Sequence, residues 1–132
     1  MPAKRIKTFL SYVLILATGL GVGISAPHAV NALKPGYTTG DYRAYYPDKA
    51  TNVVLYGTAT CPYCIQARAY LRERKIAFID HDLSSSDQGR REFSQLGKGV
   101  VPVILVGERL LTGFNQGRLE AALVKAGHAR PD

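Results

Sequence analysis

Apolar positions along the chain change period several times, and each change predicts an element. Val53-Val54-Leu55-Tyr56 is an unbroken apolar run, of the length and residue type of a strand buried on both faces, so strand one is placed at about Asn52 to Tyr56. From Pro62 to about Arg74 good helix formers dominate, and Ala67, Tyr70 and Leu71 recur at i, i+3, i+4, which predicts a helix with that face inward. Ile76 to Asp80 reads as strand two. Ser84-Ser85-Ser86-Asp87 is a cluster of N-cap residues opening a second helix that runs to about Leu96. The apolar face of this helix is thin, Phe93 and Leu96, which predicts packing at an edge, and Gly97 and Gly99 end it. Val100 to Val106 predicts strand three, and Gly107-Glu108 turns the chain into Arg109-Leu110-Leu111 as a hairpin. Gly113 breaks that strand. Asn115 caps a last helix with Leu119, Ala122, Leu123 and Ala126 at helical spacing, which Gly127 ends. The order β-α-β-α-β-β-α predicts the α/β class: a parallel βαβ unit joined to an antiparallel hairpin, with helices on both faces of a small mixed sheet.

The first 32 residues follow a different logic. Lys4, Arg5 and Lys7 precede a stretch from Phe9 to Ile24 without a charge, and Ser25 to Ala32 is rich in small residues. This is the layout of a secretory signal, with cleavage expected after Ala32. Retained instead, residues 9–26 would serve as a membrane anchor, and in both cases the basic end stays cytoplasmic and the remainder is exported, to the periplasm or the extracytoplasmic face of the membrane. Residues 33–51, with Pro35, Gly36, Gly40, Pro47 and four tyrosines (Tyr37, Tyr42, Tyr45, Tyr46), show no sustained period and read as a linker or arm whose tyrosines either pack on the surface of the domain or touch a partner. The domain itself is expected over residues 52–127, followed by a tail at 128–132.

Charge narrows the partners. The chain of 132 residues carries +7, but three of its seventeen basic residues lie in the terminal segment. From Leu33 onward fourteen basic and ten acidic residues leave +4, an ordinary solvated surface with no basic run interleaved with aromatics, so nucleic acid is not expected as a partner.

The chain has two cysteines, Cys61 and Cys64, spaced C-x-x-C between strand one and the first helix. In that context the pair reads as a redox motif. The first N–H groups of a helix lack intrahelical partners and carry partial positive charge, so a thiolate at Cys61 is stabilised there and its pKa falls below the ~8.5 of free cysteine. Cys64, one turn further in, is placed to resolve a mixed disulfide made by Cys61. Pro62 suits the first helical turn, where its missing N–H is not needed. A structural disulfide, a zinc half-site or two inert thiols are the competing readings. A zinc site would need two more ligands, yet the three histidines are scattered, and so short a disulfide loop adds little stability.

Cys61-Pro62-Tyr63-Cys64 after strand one, Val101-Pro102 before strand three and Gly113-Phe114-Asn115 after the hairpin resemble the glutaredoxin family of the thioredoxin fold. The resemblance covers about Asn52 to Ala126. It implies a thiol–disulfide oxidoreductase with Cys61 attacking and Cys64 resolving, Tyr63 flanking the site, and a cis bond before Pro102 that leaves the Val101 backbone free to align an extended substrate. It implies no metal or nucleotide cofactor, and glutathione as a co-substrate. Disulfide-containing proteins or glutathione are the implied partners, with a separate electron donor and a monomeric chain. Arg90 matches a family position that contacts the glycine carboxylate of glutathione. Two positions depart from the pattern. Thr58 stands where the family commonly has a lysine, and Thr112-Gly113-Phe114-Asn115 replaces a Gly-Gly pair followed by a polar residue and Asp, a version closer to the glutaredoxin-shaped hydrogen donors served by thioredoxin reductase. The alternative implied by the same resemblance is a module binding an iron–sulfur cluster or a soft metal, against which Pro62 argues.

Overall fold

The structure, a computed structural model, describes residues 5–16 and 36–128. The chain divides into two compact units, Met1–Pro35 and Gly36–Asp132. In the first, residues 5–16 are helical and their apolar side chains, Phe9, Leu10 and Leu16 among them, are exposed. The expected cleavage site at Ala32 lies outside the described residues. Among the described residues no helix is long and apolar enough to cross a membrane.

The second unit runs β1 (Tyr37–Thr39), a 3-10 turn (Arg43–Tyr45), β2 (Val53–Gly57), α1 (Pro62–Glu73), β3 (Ile79–Asp82), α2 (Asp87–Gln95), β4 (Val103–Val106), β5 (Arg109–Thr112) and α3 (Gln116–Lys125). The strands form one sheet in the order β1-β5-β4-β2-β3. β2 and β3 are parallel, and the other neighbours are antiparallel. The α/β class and the β-α-β-α-β-β-α order expected from the sequence are both present, with one strand added in front.

Alternation along β2 and β4 sorts the core into two layers. Val53, Leu55, Ile104, Val106 and Leu111 face α1 and α3, meeting Ala67, Tyr70, Leu71, Leu119, Ala122 and Leu123. Val54, Tyr56, Val103, Leu105 and Leu110 face the other way, against Phe93 and Leu96 of the α2 side. Central strands covered on both faces have no polar face to show, which is why they read as continuous apolar runs. Each fully buried aliphatic side chain contributes about 1.5–3 kcal/mol, so both layers are needed for stability.

Three boundaries differ from those expected. β3 begins at Ile79, not Ile76: Lys75 takes φ 54° at the end of α1, the Ile76 N–H bonds back to Leu71 O at 3.0 Å, and Ile76 and Phe78 pack on the α1–α3 layer as part of the connection. Strand three is shorter, since Val100 is 57% exposed and Pro102 has no N–H to give to a ladder; β4 starts at Val103. Residues 36–51 are an arm but not a linker. Tyr37–Thr39 pairs antiparallel with Arg109–Leu111, Tyr42, Tyr45 and Tyr46 pack against the α2-side layer, and Tyr46 Oη donates to Gly107 O at 2.8 Å. A three-residue edge strand is held by backbone hydrogen bonds, which leave no periodic trace in side-chain polarity.

Helix α2 is held by closeness where its apolar face is thin. Gly89 is buried, and a Cβ there would lie 2.7 Å from His81 Cβ on β3. Tyr56 Oη donates to Glu92 Oε2 at 2.6 Å, and His81 stacks on Tyr56 with ring centroids 5.2 Å apart. Gly89→Ala is therefore expected to lower the unfolding midpoint, although alanine gains about 1 kcal/mol of helix propensity. Gly117→Ala, whose Cβ would meet Asn115 Oδ1 at an ordinary 3.6 Å, is expected to be neutral or stabilising by up to about 1 kcal/mol. Thermal and urea unfolding of the two variants separates them; equal stability would mean that α2 does not approach β3 as described.

Candidate active site

The register places the site. Tyr56 lies opposite both His81 and Val103, and Val103 opposite Thr112. The carboxyl ends of β2, β3 and β5 and the amino end of β4 therefore meet at one edge of the sheet. The loops 58–61, 83–86, 99–102 and 113–115 and the starts of all three helices cluster there, the usual position for a ligand site in an open α/β sheet.

Cys61 is the N-cap of α1 in extended backbone conformation, with Pro62 in the first turn. Its Sγ accepts the Cys64 N–H at 3.3 Å, so the sulfur takes the place of a capping oxygen. Cys61 is partly exposed, whereas Cys64 is wholly buried, and both are free thiols. Gly57 brings the β2 backbone close to Cys64, for a Cβ there would be 2.8 Å from Cys64 Sγ.

This asymmetry splits the two acidities. Burial raises the Cys61 thiol, but the Cys64 thiol and N–H, the Tyr63 N–H and the charge of Arg68 together outweigh it and leave Cys61 below its ordinary value. Cys64 is pushed up to about 11 by burial first and then by its bond to Cys61, against smaller opposing effects of the Thr58 N–H and Arg68.

The other expected residues fall into three groups. Val101-Pro102 is cis, as expected, and Pro102 is buried. Pro102 O accepts the Gly113 N–H at 2.8 Å, which joins those two loops, and Gly113 takes φ 78°. Tyr63 is 59% exposed beside Cys61. Phe114 and Asn115 also make contacts within the fold: Phe114 meets Tyr70 edge-on at 6.0 Å, and Asn115 Oδ1 accepts the Arg118 N–H at 3.0 Å as the cap of α3. Arg90 is engaged locally, donating to Leu83 O at 2.8 Å and pairing with Asp87. Among the described residues no group of three or more His, Cys, Asp or Glu is placed to hold a metal ion.

Sequence reasoning missed Arg68 and Asp80. Arg68 Nε donates to both Asp80 oxygens at 2.9 and 2.8 Å, and its Nη1 donates to Thr58 O at 2.9 Å. The available signal was a charged residue on the helix face otherwise occupied by Cys64, Ala67 and Leu71.

The reduced protein is expected to react with iodoacetamide at Cys61 alone near neutral pH. Its rate should rise as pH passes a thiol pKa below that of free cysteine, since the thiolate is the reactive form. Cys64 should stay unmodified until the solution approaches the raised value of about 11. Peptide mass mapping after brief alkylation measures both; equal labelling of the two at neutral pH would reverse the assignment.

The chain resembles known proteins over the segment that carries this site. Residues 53–111 match the family model described as Glutaredoxin. An uncharacterized glutaredoxin-like 8.6 kDa protein in the rubredoxin operon of Clostridium pasteurianum is 31% identical over 74 residues, 55% of this chain and 99% of that protein. A glutaredoxin of Pseudomonas aeruginosa is 33% identical over 79 residues, 54% of this chain and 94% of its own length. The crystal structure of a glutaredoxin from Archaeoglobus fulgidus superposes with a TM-score of 0.50 over 55% of this chain and 86% of that one, at 22% identity, and so supports the fold alone. The segment from β2 onward accounts for nearly the full length of relatives about a third identical to it, and on that footing the chain belongs to the glutaredoxin family, with a thioredoxin-like fold.

Proposed function

We propose that this glutaredoxin is an exported dithiol–disulfide oxidoreductase working through Cys61 and Cys64. The observation that carries this reading is the pairing of a partly exposed, hydrogen-bonded sulfur at the start of α1 with a buried, weakly acidic one a turn inside. The Cys61 thiolate attacks one sulfur of a substrate disulfide. A Cys61–substrate disulfide forms, and the other substrate sulfur leaves with the electron pair and takes a proton. Cys64 then loses its proton and attacks Cys61 Sγ, releasing the second substrate thiol and leaving a Cys61–Cys64 disulfide. Two electrons pass to the substrate, and an external dithiol or glutathione restores the pair.

Substrates on this reading are extended protein disulfides or glutathione mixed disulfides, aligned by the Val101 backbone, which makes no hydrogen bond to the rest of the described chain. Cys61→Ser should abolish reduction of a small disulfide. Cys64→Ser should retain reaction with a glutathione mixed disulfide and trap protein substrates. Full activity in Cys61→Ser would defeat the proposal.

Glutathione is expected to bind more weakly here than where a lysine stands at position 58. A charge-assisted hydrogen bond to its carboxylate contributes roughly 1.5–3 kcal/mol and a neutral hydroxyl roughly 0.5–1.5 kcal/mol. The difference, about 1–2 kcal/mol, corresponds to roughly 5–30-fold in affinity. Thr58→Lys should raise the second-order rate on a glutathione mixed disulfide by that order, and an unchanged rate would place glutathione on other contacts.

Export rests on the basic, apolar and small-residue order of residues 1–32. A fusion of these residues to a reporter that works only outside the cytoplasm should be active. Activity confined to a cytoplasmic reporter would overturn it.

A further inference from the structure

From Ala50 to Ala67 the chain carries no charged residue, so the loop that leads to Cys61 brings no ionic group of its own. The first charge after it is Arg68. It stands four residues beyond Cys64 and seven beyond Cys61, spacings that return to the same face of a helix. That face is buried, and among the described residues Arg68, 8% exposed, is the charged side chain of the core.

Each contact of its guanidinium leads toward the cysteines or anchors it beneath them. Nε is held by the Asp80 carboxylate of β3, and Nη1 donates to the Thr58 carbonyl at 2.9 Å. Thr58 directly follows Gly57, where a Cβ would lie 2.8 Å from Cys64 Sγ, so the loop this bond holds runs against Cys64. The other charged groups facing this cluster are Arg72 on α1, 3.6 Å from Asp80, and Asp82 on β3, which feels the charge of Arg68. Arginine suits the place because its planar fork serves the carboxylate and the carbonyl together; a lysine ammonium is a single point.

We propose that Arg68 is a positioning residue for the cysteine pair: anchored on Asp80, it holds the Thr58 loop against Cys64 and keeps a buried positive charge beneath the Cys61 thiolate. This rests on the reading of Cys61 as the attacking thiol. An ion pair kept only for the fold would respond alike to loss of either partner, whereas a field effect responds in opposite senses. Removing the cation disfavours the thiolate, and removing the carboxylate leaves the cation less neutralised.

The test is the thiolate titration of Cys61 by ultraviolet absorbance in the reduced full-length chain, for wild type, Arg68→Met, Arg68→Lys and Asp80→Asn. Arg68→Met should raise the Cys61 pKa by about half a unit or more, Asp80→Asn should lower it, and Arg68→Lys should stay nearer to wild type than Arg68→Met. Shifts of the same sign in Arg68→Met and Asp80→Asn, or no shift in either, would overturn the proposal. If Arg68→Met does not fold, Asp80→Asn decides alone: a lowered pKa supports the role, and an unchanged or raised one overturns it. A wild type without a depressed thiol at Cys61 would defeat the functional reading as well, whereas a normal wild type with unresponsive variants defeats only the role of Arg68.

Discussion

Gly57 lets the last residue of β2 pass so close to α1 that a methyl group on it would sit 2.8 Å from the Cys64 sulfur. Much of the active edge depends on that approach. It seals Cys64 from water while the N-cap position leaves Cys61 partly open, and the unequal burial of two identical side chains supplies much of their difference in acidity. The same junction aligns Pro102 beyond the amino end of β4 and the Gly113 loop beyond the carboxyl end of β5, joined through the Gly113 N–H and Pro102 O. A site assembled from four loops thus inherits its geometry from one sheet register.

Polar groups tie the helices to the sheet on both faces, and β3 carries both sets. Asp80 points to the α1 side and holds Arg68. His81 points to the α2 side, where it stacks on Tyr56 and lies 3.4 Å from Glu92. Buried ion pairs are weak evidence for stability, because desolvation offsets most of the attraction. What they do supply here is direction: the Arg68 guanidinium fits only where a carboxylate and the Thr58 carbonyl are both within reach.

The arm changes what the sheet exposes. Without residues 36–51, β5 would be an edge strand with unpaired backbone groups, a template for pairing with other chains. β1 occupies that edge, the Arg109 guanidinium lies 4.2 Å from the centre of the Tyr37 ring, and Tyr46 closes onto Gly107. The family match begins only at residue 53, so this cover lies outside the matched segment.

The sequence by itself determined the elements that have a local cause. The helix face of Ala67, Tyr70 and Leu71, the caps at Ser86 and Asn115, the turn at Gly107-Glu108 and the placement of Cys61-Pro62-Tyr63-Cys64 at a helix start all follow from spacing, capping chemistry and backbone freedom within a few residues. Strand β3 was expected three residues early, at Ile76 to Asp80, because Ile79-Asp80-His81-Asp82 is polar for reasons that lie elsewhere in the chain, in Arg68 and Glu92. Strand β1 escaped because an edge ladder is a matter of backbone hydrogen bonds, which side-chain patterning does not record. Arg68, Gly57 and Gly89 were singled out by none of these local causes. Only the tertiary structure decided that these three lie where two elements nearly touch, since burial and close approach belong to pairs of segments and not to either one alone.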